Sequence, residues 1–133
     1  MISLDNMSQA EYEALIDAAR QFSNDFQAFQ AASDEVRRVS DLEPPFPAIT
    51  SFEDLQDYQG RVRSYRERLN AAAQKKDQLK SAAVESARKL FPLLPLYVQF
   101  EVNGARVWNA NDGRRQVSIS YSTNIGYVQG SLG

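Results

Sequence analysis

The chain has 133 residues, with 17 acidic and 15 basic side chains and 43% hydrophobic residues, the size of one domain or of one elongated element with a small appendage. A net charge of −2 argues against a protein built mainly to coat nucleic acid or anionic lipid. The lack of both histidine and cysteine excludes thiol nucleophiles, disulfides, the usual zinc and haem ligands and the commonest general base near pH 7.

The N-terminus has no basic region followed by an apolar core, so it does not read as a secretory signal. The longest apolar patch, residues 90–98, is interrupted by Pro92 and Pro95, far short of the roughly 18 to 20 apolar residues a membrane span needs. The expectation is a soluble, cytoplasmic protein, or one assembled into a particle made in the cytoplasm.

Ser8-Gln9-Ala10-Glu11 has the spacing of a capping box and predicts a helix start. From there Tyr12, Leu15, Ala19, Phe22, Phe26, Phe29, Ser33 and Val36 recur at alternating steps of three and four, a heptad seam running to about residue 40. Small or apolar residues at the flanking positions, Ile16, Ala18, Ala32 and Val39, widen the apolar face beyond what one neighbouring helix covers. Pro44, Pro45 and Pro47 cannot continue the helix and predict a stiff connector over 41–50.

A second capping box, Thr50 with Glu53, opens a second helix. Its seam runs through Leu55, Tyr58, Val62, Tyr65, Leu69, Ala72, Lys76, Leu79, Ala83, Ser86 and Leu90, with Gly60 on the outward side, and Pro92 and Pro95 end it. The connector lets the helices fold back as an antiparallel hairpin, with Phe29 near Val62, Phe26 near Tyr65 and Phe22 near Leu69. Residues 1–51 carry 9 acidic and 3 basic groups, whereas residues 52–91 carry 6 and 9. The halves are therefore electrostatically complementary, with Arg61, Arg66, Arg68, Lys75 and Lys80 flanking the second seam. Lys76, a charge at a seam position, is expected to be neutralised by Glu11, Glu13 or Asp17.

After Pro95 the period changes to two. Leu96, Val98, Phe100 and Val102 alternate with polar or aromatic residues, and Asn103-Gly104 predicts a two-residue hairpin that sets Glu101 opposite Arg106 and Phe100 opposite Val107. A second turn at Asn111-Asp112-Gly113 brings Val117, Ile119 and Tyr121 onto the same face as Ala105 and Val107. Residues 125–130 add a short fourth strand. The expected fold is mainly α with a small β appendage: a long, coiled-coil-like antiparallel helical hairpin over 1–91, then a three- or four-stranded antiparallel β-meander over 92–133. Leu79, Ala83, Leu90 and Leu94, running past the start of the first helix, are expected to support the sheet.

No phosphate-binding glycine loop is present. The carboxylate pairs Glu11/Glu13, Asp34/Glu35 and Glu53/Asp54 sit near helix ends, where acids stabilise helix N-termini or solvate a face. Ser118, Ser120 and Ser122 have no histidine or nearby lysine to activate them. No catalytic residue, metal ligand or cofactor site is therefore expected. The strongest recognition surface is the outer sheet face, where Trp108 stands with Arg106 and Gln116, and Tyr97 and Tyr127 lie close by; such a mixture suits a subunit contact.

The architecture resembles in a general way the accessory and assembly proteins of phage particles and other homo-oligomeric scaffolds. The resemblance implies a non-enzymatic structural protein that self-associates within a larger particle such as a virion, with protein partners and without nucleic acid or membrane. The alternative is a soluble adaptor or regulator that takes a partner helix or single-stranded nucleic acid on the basic face of helix 2, at Arg61, Arg68 and Lys75.

Overall fold

The computed structural model describes residues 4–109, 117–121 and 124–128. Two long helices, α1 (Gln9–Ser40) and α2 (Phe52–Leu90), pack side by side and carry a four-stranded antiparallel sheet at the C-terminal end. The strands, β1 (Gln99–Val102), β2 (Ala105–Asn109), β3 (Val117–Tyr121) and β4 (Asn124–Val128), lie in sequence order. The architecture is thus the expected helical hairpin with a β-meander. No helix among the described residues is long and apolar enough to cross a membrane.

The predicted cap of α1 is present. Ser8 Oγ accepts from the Glu11 N–H at 3.1 Å, and Glu11 Oε1 accepts from the Ser8 N–H at 3.3 Å. The cap of α2 lies one residue later than the Thr50–Glu53 box. Ser51 Oγ accepts from the Asp54 N–H at 3.1 Å, while the Thr50 hydroxyl and N–H both donate to Asp54 Oδ2, at 2.8 and 3.2 Å. Both frames carry a hydroxyl followed three residues later by an acid; the shorter aspartate also takes the two Thr50 donors.

These donors, the Thr50 hydroxyl foremost, hold the Asp54 carboxyl below its ordinary pKa. A carboxylate depressed on folding stabilises the folded state above its unfolded pKa and stops doing so as pH falls through the folded one. The first turn of α2 is therefore expected to stay formed at neutral pH and to fray progressively below the ordinary value of 3.8. Amide exchange at Asp54 and Leu55 against pH measures this, and Asp54→Asn should remove the pH dependence. An acid titration that leaves these amides equally protected would show that the cap is not formed.

The helices pair in a different register from the predicted one. The Tyr65 hydroxyl donates to the Ser40 carbonyl at 3.3 Å, and Ser86 Oγ donates to Asp25 Oδ2. Tyr65 is thus level with the end of α1 rather than with Phe26. Likewise, Phe22 and Phe26 share a buried cluster with Ala83, Ala87 and Leu90, not with Leu69 or Val62. The physical cause is the connector. Proline-stiffened residues 41–50 have no regular structure and do not turn tightly; Pro44 and Pro45 instead lie alongside Asp57, Gly60 and Arg61. The first 13 residues of α2 consequently overshoot the end of α1 by about 20 Å. The same shift places Lys76, half-buried, level with the last third of α1, near Ala32, away from Glu11, Glu13 and Asp17.

The predicted seam of α1 has two neighbours. Leu15, Ala19, Phe22 and Phe26 are buried in one cluster with Val102, Ala105, Val107, Val117 and Ile119 of the sheet. Phe26 stacks on Tyr121 with centroids 6.5 Å apart and rings 13° from parallel. The Tyr121 hydroxyl donates to the Ser23 carbonyl at 3.0 Å and lies 2.7 Å from Ser23 Oγ. Burial outweighs those hydrogen bonds and pushes the Tyr121 phenol above its ordinary pKa.

Toward α2 the contact shifts to Asp25, Ala32 and Val39, seven residues apart on the flank of the seam. The residues that widen the face of α1 are therefore divided: Ala32 and Val39 lie toward α2, while Ile16 and Ala18 pack against the cluster shared with the sheet. The sheet rests on both helices, since α1 runs level with the last turns of α2 and does not stop short of them. Ala83, Leu90 and Leu94 are buried there as expected, whereas Leu79 is only half-buried.

The hairpin register is the predicted one, with Phe100 opposite Val107 and Glu101 opposite Arg106. Asn103 at φ 52° and Gly104 at φ 76° form the primed turn that matches strand twist. β1 begins at Gln99, because Leu96 and Tyr97 form a turn instead of continuing the alternation. Tyr97 has φ 65°, a left-handed conformation that a strand excludes and that costs a bulky residue on the order of 1 kcal/mol or more.

Candidate interaction surfaces

The outer face of the sheet is assembled by strand register. Trp108 lies between Gln99 on β1 and Ser118 on β3, and Tyr127 occupies the position opposite Ser118 on β4. Arg106 lies between Glu101 and Ser120 in the next row. Arg106 is exposed and Trp108 half-buried, so the indole offers only part of its area to a partner. Ser118, one row neighbour of Trp108, is 5% exposed, which makes this face less solvated than alternation alone implies. Tyr97 stands apart from the row, 87% exposed in the turn before β1. Gln116 and the predicted turn at 111–113 lie outside the described residues.

Arg61, Arg68 and Lys75 are exposed, seven residues apart along one edge of α2. Arg61 and Arg68 border a hollow whose wall includes Leu42, Pro44 and Pro45. Arg68 and Lys75 border a shallow groove of about 780 Å³ between the helices. Alanines line it, Ala28, Ala31 and Ala32 from α1 and Ala71 and Ala72 from α2, together with Leu79. Glu35 sits on the rim beside Arg38. The Arg38 hydrogen bond is the main reason its carboxyl stays below the ordinary range, with Arg68 and Lys75 contributing at longer distance. The predicted basic stripe is therefore contiguous, and it edges an apolar hollow.

Two surfaces escaped the sequence pattern. None of residues 52–82 is buried, although the heptad repeat continues through them. The connector, predicted only as a spacer, displays large apolar groups: Phe46 is 97% exposed, Leu42 48% and Ile49 43%, and Phe52, the first residue of α2, adds another at 72%. The available signal was Phe46 itself, an aromatic residue set between prolines where no helix or strand could bury it.

Among the described residues, no three acidic side chains gather to hold a metal ion. No family model, curated protein or solved structure matches the chain.

Proposed function

We propose that this chain is a non-enzymatic structural protein that self-associates, serving as a scaffold or accessory component of a larger particle, such as a phage virion, assembled in the cytoplasm. The observation that carries this reading is the uncovered length of α2. Leu55, Tyr58 and Val62 keep the spacing of a helix–helix seam, yet α1 reaches only from Tyr65 onward and leaves them half-exposed. Exposed Phe46 and Phe52 at the same end add to that surface. Contiguous apolar area of this kind marks an interaction site more often than a solvated face.

The basic stripe supports a second reading, in which Arg61, Arg68 and Lys75 hold an acidic helix or single-stranded nucleic acid. Residues 61–80 carry seven basic and two acidic side chains, enough to attract a polyanion.

Sedimentation equilibrium in 0.1 M and about 1 M NaCl separates the two. The structural reading expects a multiple of the 15.0 kDa chain mass that persists in high salt, since burial of apolar surface strengthens there. The adaptor reading expects a monomer whose affinity for a single-stranded oligonucleotide falls steeply with salt through counterion release. A salt-independent monomer at every concentration overturns self-association.

A further inference from the structure

We propose that two copies of this chain join end to end through the overhang of α2, residues 52–64 of one copy lying antiparallel against residues 52–64 of the other. The inference deepens the self-association reading and rests on it. Leu55, Tyr58 and Val62 keep heptad spacing along the overhang and are half-exposed, because α1 ends level with Tyr65. Tyr58 and Val62 line a hollow that, among the described residues, is walled by α2 alone. The connector does not fill it. Leu42, Pro44 and Pro45 share a different hollow with Gln56, Gly60 and Ser64, which at 3.6 residues per turn lie on the far side of α2 from Tyr58 and Val62. Arg61 stands between the two faces.

Length sets the register. A second overhang matches the first, and a two-fold axis beside Asp57 and Tyr58 overlaps the two along their whole length, in the layer that α1 leaves empty. Leu55 then faces the partner's Tyr58, and Tyr58 faces the partner's Leu55. The exposed seam covers itself, which is the isologous contact a closed dimer requires.

Charge sets the direction and the occupant. The three acids of the overhang, Glu53, Asp54 and Asp57, occupy its first half, and its two bases, Arg61 and Arg63, its second. A helix that complements it must carry the opposite order, which a reversed second copy does. Asp54 and Arg61, seven residues apart, flank the seam on the same side. Antiparallel pairing sets Asp54 opposite the partner's Arg61 and Arg61 opposite the partner's Asp54, so the acid–base pair forms twice. A parallel seam would instead set Arg61 against the partner's Arg66, five positions further on. Like charges there disfavour the parallel arrangement.

Because the chain has no cysteine, crosslinks between introduced thiols report the contact directly. Phe52 and Arg63 are both exposed, on one flank of the seam, and face each other across the antiparallel pair, while two copies of either residue stand about 16 Å apart along the axis. Phe52→Cys and Arg63→Cys variants, mixed and treated with a short bismaleimide, are expected to give a crosslinked dimer in several-fold excess over either variant alone. Tyr58→Ala should raise the dissociation constant of the dimer about 30-fold, the effect of removing an interface anchor. Its far-ultraviolet circular dichroism should not change, since α1 does not reach Tyr58. Arg61→Glu should weaken the dimer about 10-fold at low salt, whereas a parallel seam would tighten. A wild-type dimer with no mixed crosslink and an unchanged dissociation constant in Tyr58→Ala overturns this interface while self-association stands. Predominant linkage between like variants, or tighter association of Arg61→Glu, overturns it in favour of a parallel contact. A wild-type monomer overturns both.

Discussion

Phe26→Ala is expected to cost about 3 to 5 kcal/mol of folding stability, the range for truncating a large side chain in a close-packed core. Phe26 is 3% exposed and touches three other rings, with centroids at 5.8 Å to Phe22, 6.2 Å to Phe29 and 6.5 Å to Tyr121. Its removal opens a cavity where both helices and the sheet meet, so no single element can collapse to fill it. Leu69→Ala is expected to lose no more than about 1 to 2 kcal/mol, because Leu69 is already half-exposed and sacrifices little apolar burial. Urea unfolding of the two variants followed at 222 nm compares them. Equal losses would restore the register in which Phe22 faces Leu69, and the observed one would be wrong.

Ala87→Leu should destabilise by about 1 to 3 kcal/mol through overpacking. Ala87 is fully buried among Phe22, Phe26 and Leu90, and its small size sets how closely the last turns of α2 approach α1. Three added carbons must displace an aromatic ring or separate the helices. Ala82→Leu is the matched control. Ala82 is exposed, so the same addition should change stability by less than about 0.5 kcal/mol. If Ala87→Leu is neutral by the same urea measurement, the contact between α1 and α2 is looser than described.

The sequence pattern was sufficient wherever the deciding interaction was local. Ser8 and Glu11 satisfy each other within one turn, and Asn103-Gly104 fixes which residue of β1 faces which of β2; both were readable without knowledge of the rest of the fold. The helix register was not, because heptads repeat and the seam of α2 offers several equivalent alignments against α1. What broke the tie was the connector, whose prolines hold it extended along α2 and carry Tyr65, expected beside Phe26, to the end of α1. Aromatic spacing was also ambiguous in its target. The ring positions of α1 read as a helix–helix seam, yet rings suit a sheet as well, and the helix partner took the small residues beside them. For the surfaces, periodicity placed Arg61, Arg68 and Lys75 on one edge correctly. It could not show that this edge borders a hollow, since the hollow exists only where alanines from both helices coincide.

The bond between Ser23 and Tyr121 joins residues 98 positions apart, and the stacking of Phe26 on Tyr121 spans nearly as much of the chain. During synthesis the aromatic face of α1 leaves the ribosome long before the strand that covers it. At typical translation rates of about 5 to 20 residues per second, the wait between Phe26 and Tyr121 lasts on the order of 5 to 20 s. α1 can form within microseconds, so for that interval the nascent chain presents an ordered, greasy helix with no permanent cover. Premature encounters between neighbouring nascent chains would occur through Phe22, Phe26 and Phe29, a contact unlike the mature one. Late β3 synthesis is thus the step that commits each chain to its own sheet, and truncations ending before Val117 should aggregate rather than accumulate as free hairpins.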